Sequence, residues 1–222
     1  MKSNIAAQLL QIKAGIPAGV QLVAVSKFHP AEAIKEAYDA GQRIFGESRA
    51  QELKQKFEVL PTDIQWHFIG HLQTNKVRML MPMVSLFHSV DSLHLMEVID
   101  AEAHRIGTVA NILLQVHVAR EETKFGFSPE EIIEIINAPE MTRMHNISVH
   151  GIMGMASNTD HIPTLEAEFN QLAGIFHDIK SRNIFPDFNI LSMGMSQDYQ
   201  IAIQCGSNMI RIGTDIFGNR EY

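Results

Sequence analysis

A short apolar run, Leu22-Val23-Ala24-Val25-Ser26-Lys27, has a period of two that puts Val23, Val25 and Lys27 on one face. An amine held at the end of such a face is desolvated, which lowers its pKa and lets it condense with a carbonyl. The plainer reading is a lysine whose stem lies on apolar surface while its ammonium reaches water. Far along the chain, Ser192-Met193-Gly194-Met195-Ser196 is a small, glycine-containing turn before a helix-like segment. Such a turn exposes backbone N–H groups to an anion and adds the Ser196 hydroxyl; the alternative is Ser196 as an ordinary helix N-cap. Soon after, Met209-Ile210-Arg211-Ile212-Gly213-Thr214 puts Ile210 and Ile212 on one face and Arg211 on the other. A guanidinium on a buried face needs a partner, either a ligand or a buried carboxylate. Gly213 allows close backbone approach, and Thr214 brings another hydroxyl.

The elements that must position these residues alternate along the chain. Strand-like runs are predicted at 21–27, 43–48, 66–70, 86–90, 111–118, 147–155, 190–193 and 209–213. Helical periodicity is predicted at 5–14, ahead of the first strand, and then at 31–40, 49–57, 74–80, 92–105, 129–137, 163–181 and 198–204. Start and stop signals support the pattern: Ser128 precedes Pro129 with Glu131 completing a capping box, Asp91 or Ser92 precedes the fourth of these later helices, and Gly41 stands where one should stop. Eight strands, each but the last followed by a helix, are the parts of an α/β fold of the (β/α)8 TIM-barrel type with an extra N-terminal helix, one domain spanning 1–222. An open doubly wound sheet is the competing architecture.

Composition narrows the function classes. The chain has 222 residues, 45% of them hydrophobic and 19% charged, as expected of a folded globular protein. Its 18 basic and 25 acidic residues sum to −7, with no Lys/Arg run to track a phosphate backbone, so nucleic acid is not an expected partner. No apolar run reaches the roughly 18 residues a membrane span requires. One cysteine, Cys205, and an N-terminus without a secretory pattern point to the reducing cytoplasm. A monomer is expected because no spare apolar helix face is evident.

In a barrel, the ends of strands one, seven and eight meet on one rim, where phosphate groups are often held by the last two loops. An aldehyde bearing a phosphate engages all three segments, and pyridoxal 5′-phosphate is such a molecule. Weaker candidates surround this rim. Gln115 and His117 share a face of the fifth strand, Met153 lies on the sixth, and Lys124 sits in a loop. Each has a plain reading in packing, internal hydrogen bonding or solvent exposure. The 11 histidines raise a metal-dependent hydrolase, but His67 and His71 straddle a strand end, and no His-Glu-x-x-His spacing occurs, so no metal site is expected.

Longer motifs resemble a known family. Val23-Ala24-Val25-Ser26-Lys27, Phe45-Gly46-Glu47, the run from Trp66 to Lys76 (WHFIGHLQTNK), Ser192–Ser196 and Arg211-Ile212-Gly213-Thr214 are similar, in order and over nearly the whole chain, to the YggS/PROSC pyridoxal phosphate homeostasis proteins. The resemblance implies the fold-type III barrel shared with the N-terminal domain of alanine racemase. It also implies an internal aldimine on Lys27, Arg211 at the pyridine nitrogen, and phosphate held around Met195, Ser196, Gly213 and Thr214. Where the family commonly has Gly-Glu-Asn, this chain has Gly46-Glu47-Ser48, so Ser48 would supply a shorter donor. Lys124 matches a family lysine that could take a second aldehyde.

Arginine at the pyridine nitrogen stays cationic and opposes ring protonation, which weakens the electron sink that amino-acid chemistry needs. Alanine racemase draws its second base from a further C-terminal domain, and the chain runs only eight residues past Thr214. The expectation is a Schiff-base binding protein that stores pyridoxal phosphate and delivers it to apo-enzymes, without robust turnover. The alternative is a stand-alone racemase with Tyr199 or a rim histidine as second base.

Overall fold

A computed structural model describes residues 4–119 and 125–218. Strands β1 (Gln21–Val25), β2 (Ile44–Glu47), β3 (Gln65–Phe68), β4 (Val84–Val90), β5 (Ala110–His117), β6 (Ile147–Met155), β7 (Ile190–Met195) and β8 (Met209–Ile212) pair in chain order, all parallel, and β8 closes onto β1. No strand end departs from the predicted one by more than two residues. The barrel is therefore closed, and the open doubly wound sheet is excluded.

Helices α1 (Ile5–Gly15), α2 (Ala31–Asp39), α3 (Ala50–Val59), α4 (Thr74–Leu80), α5 (Leu93–Ile106), α6 (Pro129–Ile136), α7 (Ile162–Ser181) and α8 (Tyr199–Gln204) match the predicted ones closely. The Ser128/Glu131 capping box opens α6, and Ser92, not Asp91, caps α5 through the Leu95 amide. Gly41 follows α2 at φ +90°, where a side chain would be strained. Two pieces escape the sequence pattern: a 3-10 turn at Pro139–Arg143 and a final helix α9 (Thr214–Phe217), so the last strand is followed by a helix after all. Four residues are one turn, too short to register a 3.6-residue period. The extra helix α1 packs on α2 and α9, burying Ile5 and Leu9.

Alternation along the strands sorts side chains into two cores. Leu22, Ala24, Phe45, Ile112, Leu114, Ile210 and Ile212 belong to the large outer core that also holds Ile34, Leu53, Phe169 and Leu172 from the helices. Val23, Leu86, Leu113, Met153 and Met209 form a separate cluster inside the barrel, with Ile44 and Ile190 against it. Two residues further along four of these strands the same inward face turns polar: Leu86 gives way to His88, Leu113 to Gln115, Ile190 to Ser192 and Met209 to Arg211. All four polar residues carry little exposed surface. An apolar plug thus fills the lower barrel, and a polar layer lies about 7 Å above it, by the rise of two strand residues.

Candidate functional site

Above the polar layer opens a cavity of about 500 Å³. Lys27, Met195, Ser196, Arg211, Gly213 and Thr214 all line it, together with Val25, His29, Met153 and the loop after β6 from Ala156 to Asp160. Strand β1 positions Lys27: Val23 is fully buried in the barrel, Val25 lines the cavity, and half-buried Lys27 follows two residues later. Strand β8 pairs with β1 so that Arg211 stands beside Val23 on the same inward side.

The loop that presents Lys27 is held from behind. Ser26 Oγ donates to Glu47 Oε1 at 2.6 Å, and Lys56 Nζ donates to Ser26 O at 2.9 Å. Lys56, on α3, also bridges Glu47 Oε1 at 2.7 Å and Glu52 Oε1 at 2.6 Å. Glu52 in turn accepts the Phe28 amide at 2.6 Å. Phe28 has φ +68°, a left-handed conformation that costs a non-glycine residue about 1–2 kcal/mol. Bonds on both sides of Lys27 hold the chain in that turn, and the Arg49 guanidinium lies 4.4 Å over the Phe28 ring. Burial, outweighing Lys56, raises the pKa of Glu47, whose Oε2 has no hydrogen-bond partner among the described residues.

The loops after β7 and β8 are tied together by the Gly213 amide, which donates to Ser196 Oγ at 3.4 Å. Ser196 is not an N-cap: α8 starts at Tyr199, after Asp198. Asp198 turns its carboxylate back onto the Met195 amide at 2.6 Å, which shapes the turn and takes up that N–H. Burial raises the Asp198 pKa against the pull of the Met195 amide and Arg211. Gly194, at φ +94°, leaves no room for a Cβ, which would meet Ala202 Cβ at 2.7 Å.

Arg211 finds neither a carboxylate pair nor solvent. Nη1 donates to Ser192 O at 2.9 Å and Ser192 Oγ at 2.7 Å, and Nη2 donates to Gly154 O at 3.0 Å. Burial lowers its pKa to about 10, with Asp198 opposing the fall, so it remains a cation at neutral pH. Three of its five N–H bonds are spent on these oxygens, which leaves Nε–H and one Nη2 hydrogen outside that set on a residue that lines the cavity. With hydroxyls of Ser196 and Thr214 at one end of the cavity, an amine at Lys27 and a donor-only group at Arg211, the set is chemically suited to a phosphorylated aldehyde with a ring acceptor.

Other predicted positions fall elsewhere. Ser48 is not among the cavity-lining residues; its backbone is pressed against Gly70, where a Cβ would approach Ser48 O to 2.2 Å. Tyr199 is likewise outside the lining, while Met153 is inside it. Gln115 donates to Phe125 O at 3.0 Å, a structural bond at the mouth. Buried His67 packs on His88, whereas His71 is exposed beside Asp91 and the Phe125 ring, so the two histidines diverge. Among the described residues no three His, Cys, Asp or Glu side chains form a metal-binding group, and no helix is long and apolar enough to cross a membrane. Lys124 lies outside the described residues. Sequence reasoning missed the Glu47–Lys56–Glu52 cluster, although Glu52 and Lys56 stand four apart on a helix. It also missed Asp198, the loop after β6, and the pairing of His67 with His88.

Comparison with known proteins agrees with this architecture. Residues 2–221 match the family model described as alanine racemase, N-terminal domain. A pyridoxal phosphate homeostasis protein of Aquifex aeolicus is 38% identical over 208 residues, covering 91% of this chain and 88% of that protein. One of Helicobacter pylori is 40% identical over 200 residues, covering 89% and 87%. The structure of PipY of Synechococcus elongatus PCC7942 with pyridoxal phosphate bound superposes with a TM-score of 0.86 at 35% identity, covering 96% of this chain and all of that one.

Proposed function

The chain belongs to the pyridoxal phosphate homeostasis proteins, built on the alanine racemase N-terminal domain, and from that premise we propose that it holds pyridoxal 5′-phosphate covalently on Lys27 as a reserve for apo-enzymes, without robust amino-acid turnover. It does so as one cytoplasmic, monomeric domain of residues 1–222. The observation that carries the reading is the convergence of Lys27 and Arg211, from opposite ends of the sequence, on one cavity bordered by the Met195–Ser196 and Gly213–Thr214 loops.

Bound there, the cofactor supplies a reactive aldehyde and an electron-withdrawing ring. Ser196, Gly213 and Thr214, beside Met195, would hold the phosphate. Arg211 would serve the ring nitrogen, and because a guanidinium only donates, it would favour a nitrogen that keeps its lone pair. A racemase would need an acid–base group facing Lys27 across the ring. Tyr199 does not line the cavity; of the acid–base groups that do, His29 is stacked on Phe217 with centroids 5.1 Å apart, Asp198 accepts the Met195 amide, and Asp160 lies on the loop after β6. Retention without turnover fits these residues better.

Protein loaded with pyridoxal phosphate is expected to show visible absorbance that disappears in Lys27→Ala, while the circular dichroism spectrum stays unchanged. Incubation with single amino-acid enantiomers in deuterated water should leave the Cα hydrogen in place; rapid exchange would instead make this a racemase. Mixing loaded protein with an apo-enzyme should restore that enzyme's activity.

A further inference from the structure

Beneath the cavity, four buried side chains from four strands form one continuous line: Arg211 on β8, Ser192 on β7, His88 on β4 and His67 on β3. Arg211 Nη1 lies 2.7 Å from Ser192 Oγ, Ser192 Oγ lies 3.3 Å from His88 Nδ1, and His88 Nε2 lies 3.0 Å from His67 Nδ1. A guanidinium has no acceptor, so Ser192 Oγ must accept from it. The hydroxyl hydrogen of Ser192 then needs an acceptor of its own, and His88 Nδ1 is the remaining partner the structure gives that oxygen. If His88 Nδ1 carries the lone pair, its proton sits on Nε2 and points at His67 Nδ1, which puts the His67 proton on Nε2.

The reverse polarity would turn a His88 N–H toward the cation and leave the Ser192 hydrogen without a described acceptor. Electrostatics therefore select the first arrangement: the negative ends of both imidazole dipoles face Arg211. Burial keeps both rings neutral at physiological pH. His67 is held down to about 3, and His88 well below its ordinary value by burial, then by His67 and Arg211.

We propose that His88 is a positioning residue for Arg211: by accepting the Ser192 proton at Nδ1 it locks the Ser192 oxygen as an acceptor toward the guanidinium, and His67 fixes the tautomer that allows this. With Ser192 O and Gly154 O completing the cradle, the guanidinium plane is set at the edge of the cavity that Arg211 lines. The consequence for cofactor binding rests on the function proposed above, but the polarity of the chain does not.

The test starts with the full-length protein free of cofactor and labelled with 15N-histidine. Long-range 1H–15N correlation between about pH 6 and 8, across the ordinary histidine range, is expected to show His88 and His67 neutral with the proton on Nε2. An Nδ1–H tautomer or an imidazolium at His88 overturns the proposal. The second arm compares His88→Asn, whose Oδ1 keeps an acceptor near the place of Nδ1, with His88→Leu, which removes it. Pyridoxal phosphate affinity should fall about tenfold in the leucine variant, the scale of one charged hydrogen bond, and the visible absorbance maximum should move. The asparagine variant should stay within about threefold of the parent in affinity, with its maximum unmoved. Equal losses in both variants, with both still folded, would sink the positioning role. If the unaltered protein fails to bind the cofactor at Lys27, the function proposed above fails, while the tautomer measurement still decides this inference; the same measurement decides it if a variant does not fold.

Discussion

Behind Lys27, between the sheet and α3, one ammonium is shared by two carboxylates: Lys56 sits between Glu47 and Glu52 at 2.7 and 2.6 Å. Inside the barrel, beneath the cavity, one guanidinium is surrounded by two carbonyls, a hydroxyl and, beyond it, two neutral imidazoles. Both regions are buried, yet they handle charge in opposite ways. The first spends its lysine on two internal carboxylates and the Ser26 carbonyl, so that amine serves the loop and not a ligand. The second withholds a carboxylate from its cation, so Arg211 keeps donors and net charge for whatever enters the cavity. A buried charge is expensive to leave uncompensated. Where the chain needs only rigidity it gives the cation carboxylate partners, and where it needs recognition it solvates the charge with dipoles.

This contrast can be broken experimentally. Lys56→Met should have the largest effect, because it strands the Glu47 carboxylate, itself almost fully buried, without its cation; a loss of about 3–5 kcal/mol in urea unfolding is expected. A loss below about 1 kcal/mol would mean that the cluster is no more than a surface pair.

Acid should separate the two regions by sign. The folded pKa of His67, about 3, lies below its ordinary 6.5, so the unfolded chain binds more protons in between. Its contribution is present above about pH 6.5 and is lost as pH falls toward 3, about 3 kcal/mol by pH 4 at 1.4 kcal/mol per pH unit. Glu47 runs the other way: its folded pKa is raised above 4.5, so its contribution is present below that pH and is lost as pH rises through the folded value. Urea unfolding at pH 7 and pH 4 should therefore show a smaller acid loss in His67→Gln than in the parent. Identical losses would show that His67 does not carry the depressed pKa.

Smallest is Ser128→Ala, which removes the α6 capping box far from both clusters. It should cost about 1 kcal/mol and leave cofactor absorbance untouched. A change in absorbance would mean that the cavity responds to general loosening, and the contrast between the clusters would lose its force.

Much of this molecule is legible in one dimension. The alternation in Val23-Val25-Lys27 and the opposition of Arg211 to Ile210 and Ile212 predict which faces turn inward, and they do. The reason is local: a strand has only two faces, and apolar residues choose the larger core for one of them. The partner of Arg211 was not legible, because Ser192 and Gly154 precede it by 19 and 57 residues and nothing local links them. Ser48 shows a different limit: the motif position says nothing of the close approach of its backbone to Gly70, where a Cβ would meet Ser48 O at 2.2 Å.

What the amino-acid order determined by itself was the set of elements, their inward faces and the residue types at the rim, since propensity, periodicity and capping act over a few neighbours. What only the tertiary structure decided was who meets whom. His88 and Ser192 are 104 residues apart and touch because eight twisted strands close on themselves. Closure brings alternate inward positions from distant strands into one layer, and in that confined, water-poor layer each polar group must take its partner from those the other strands supply.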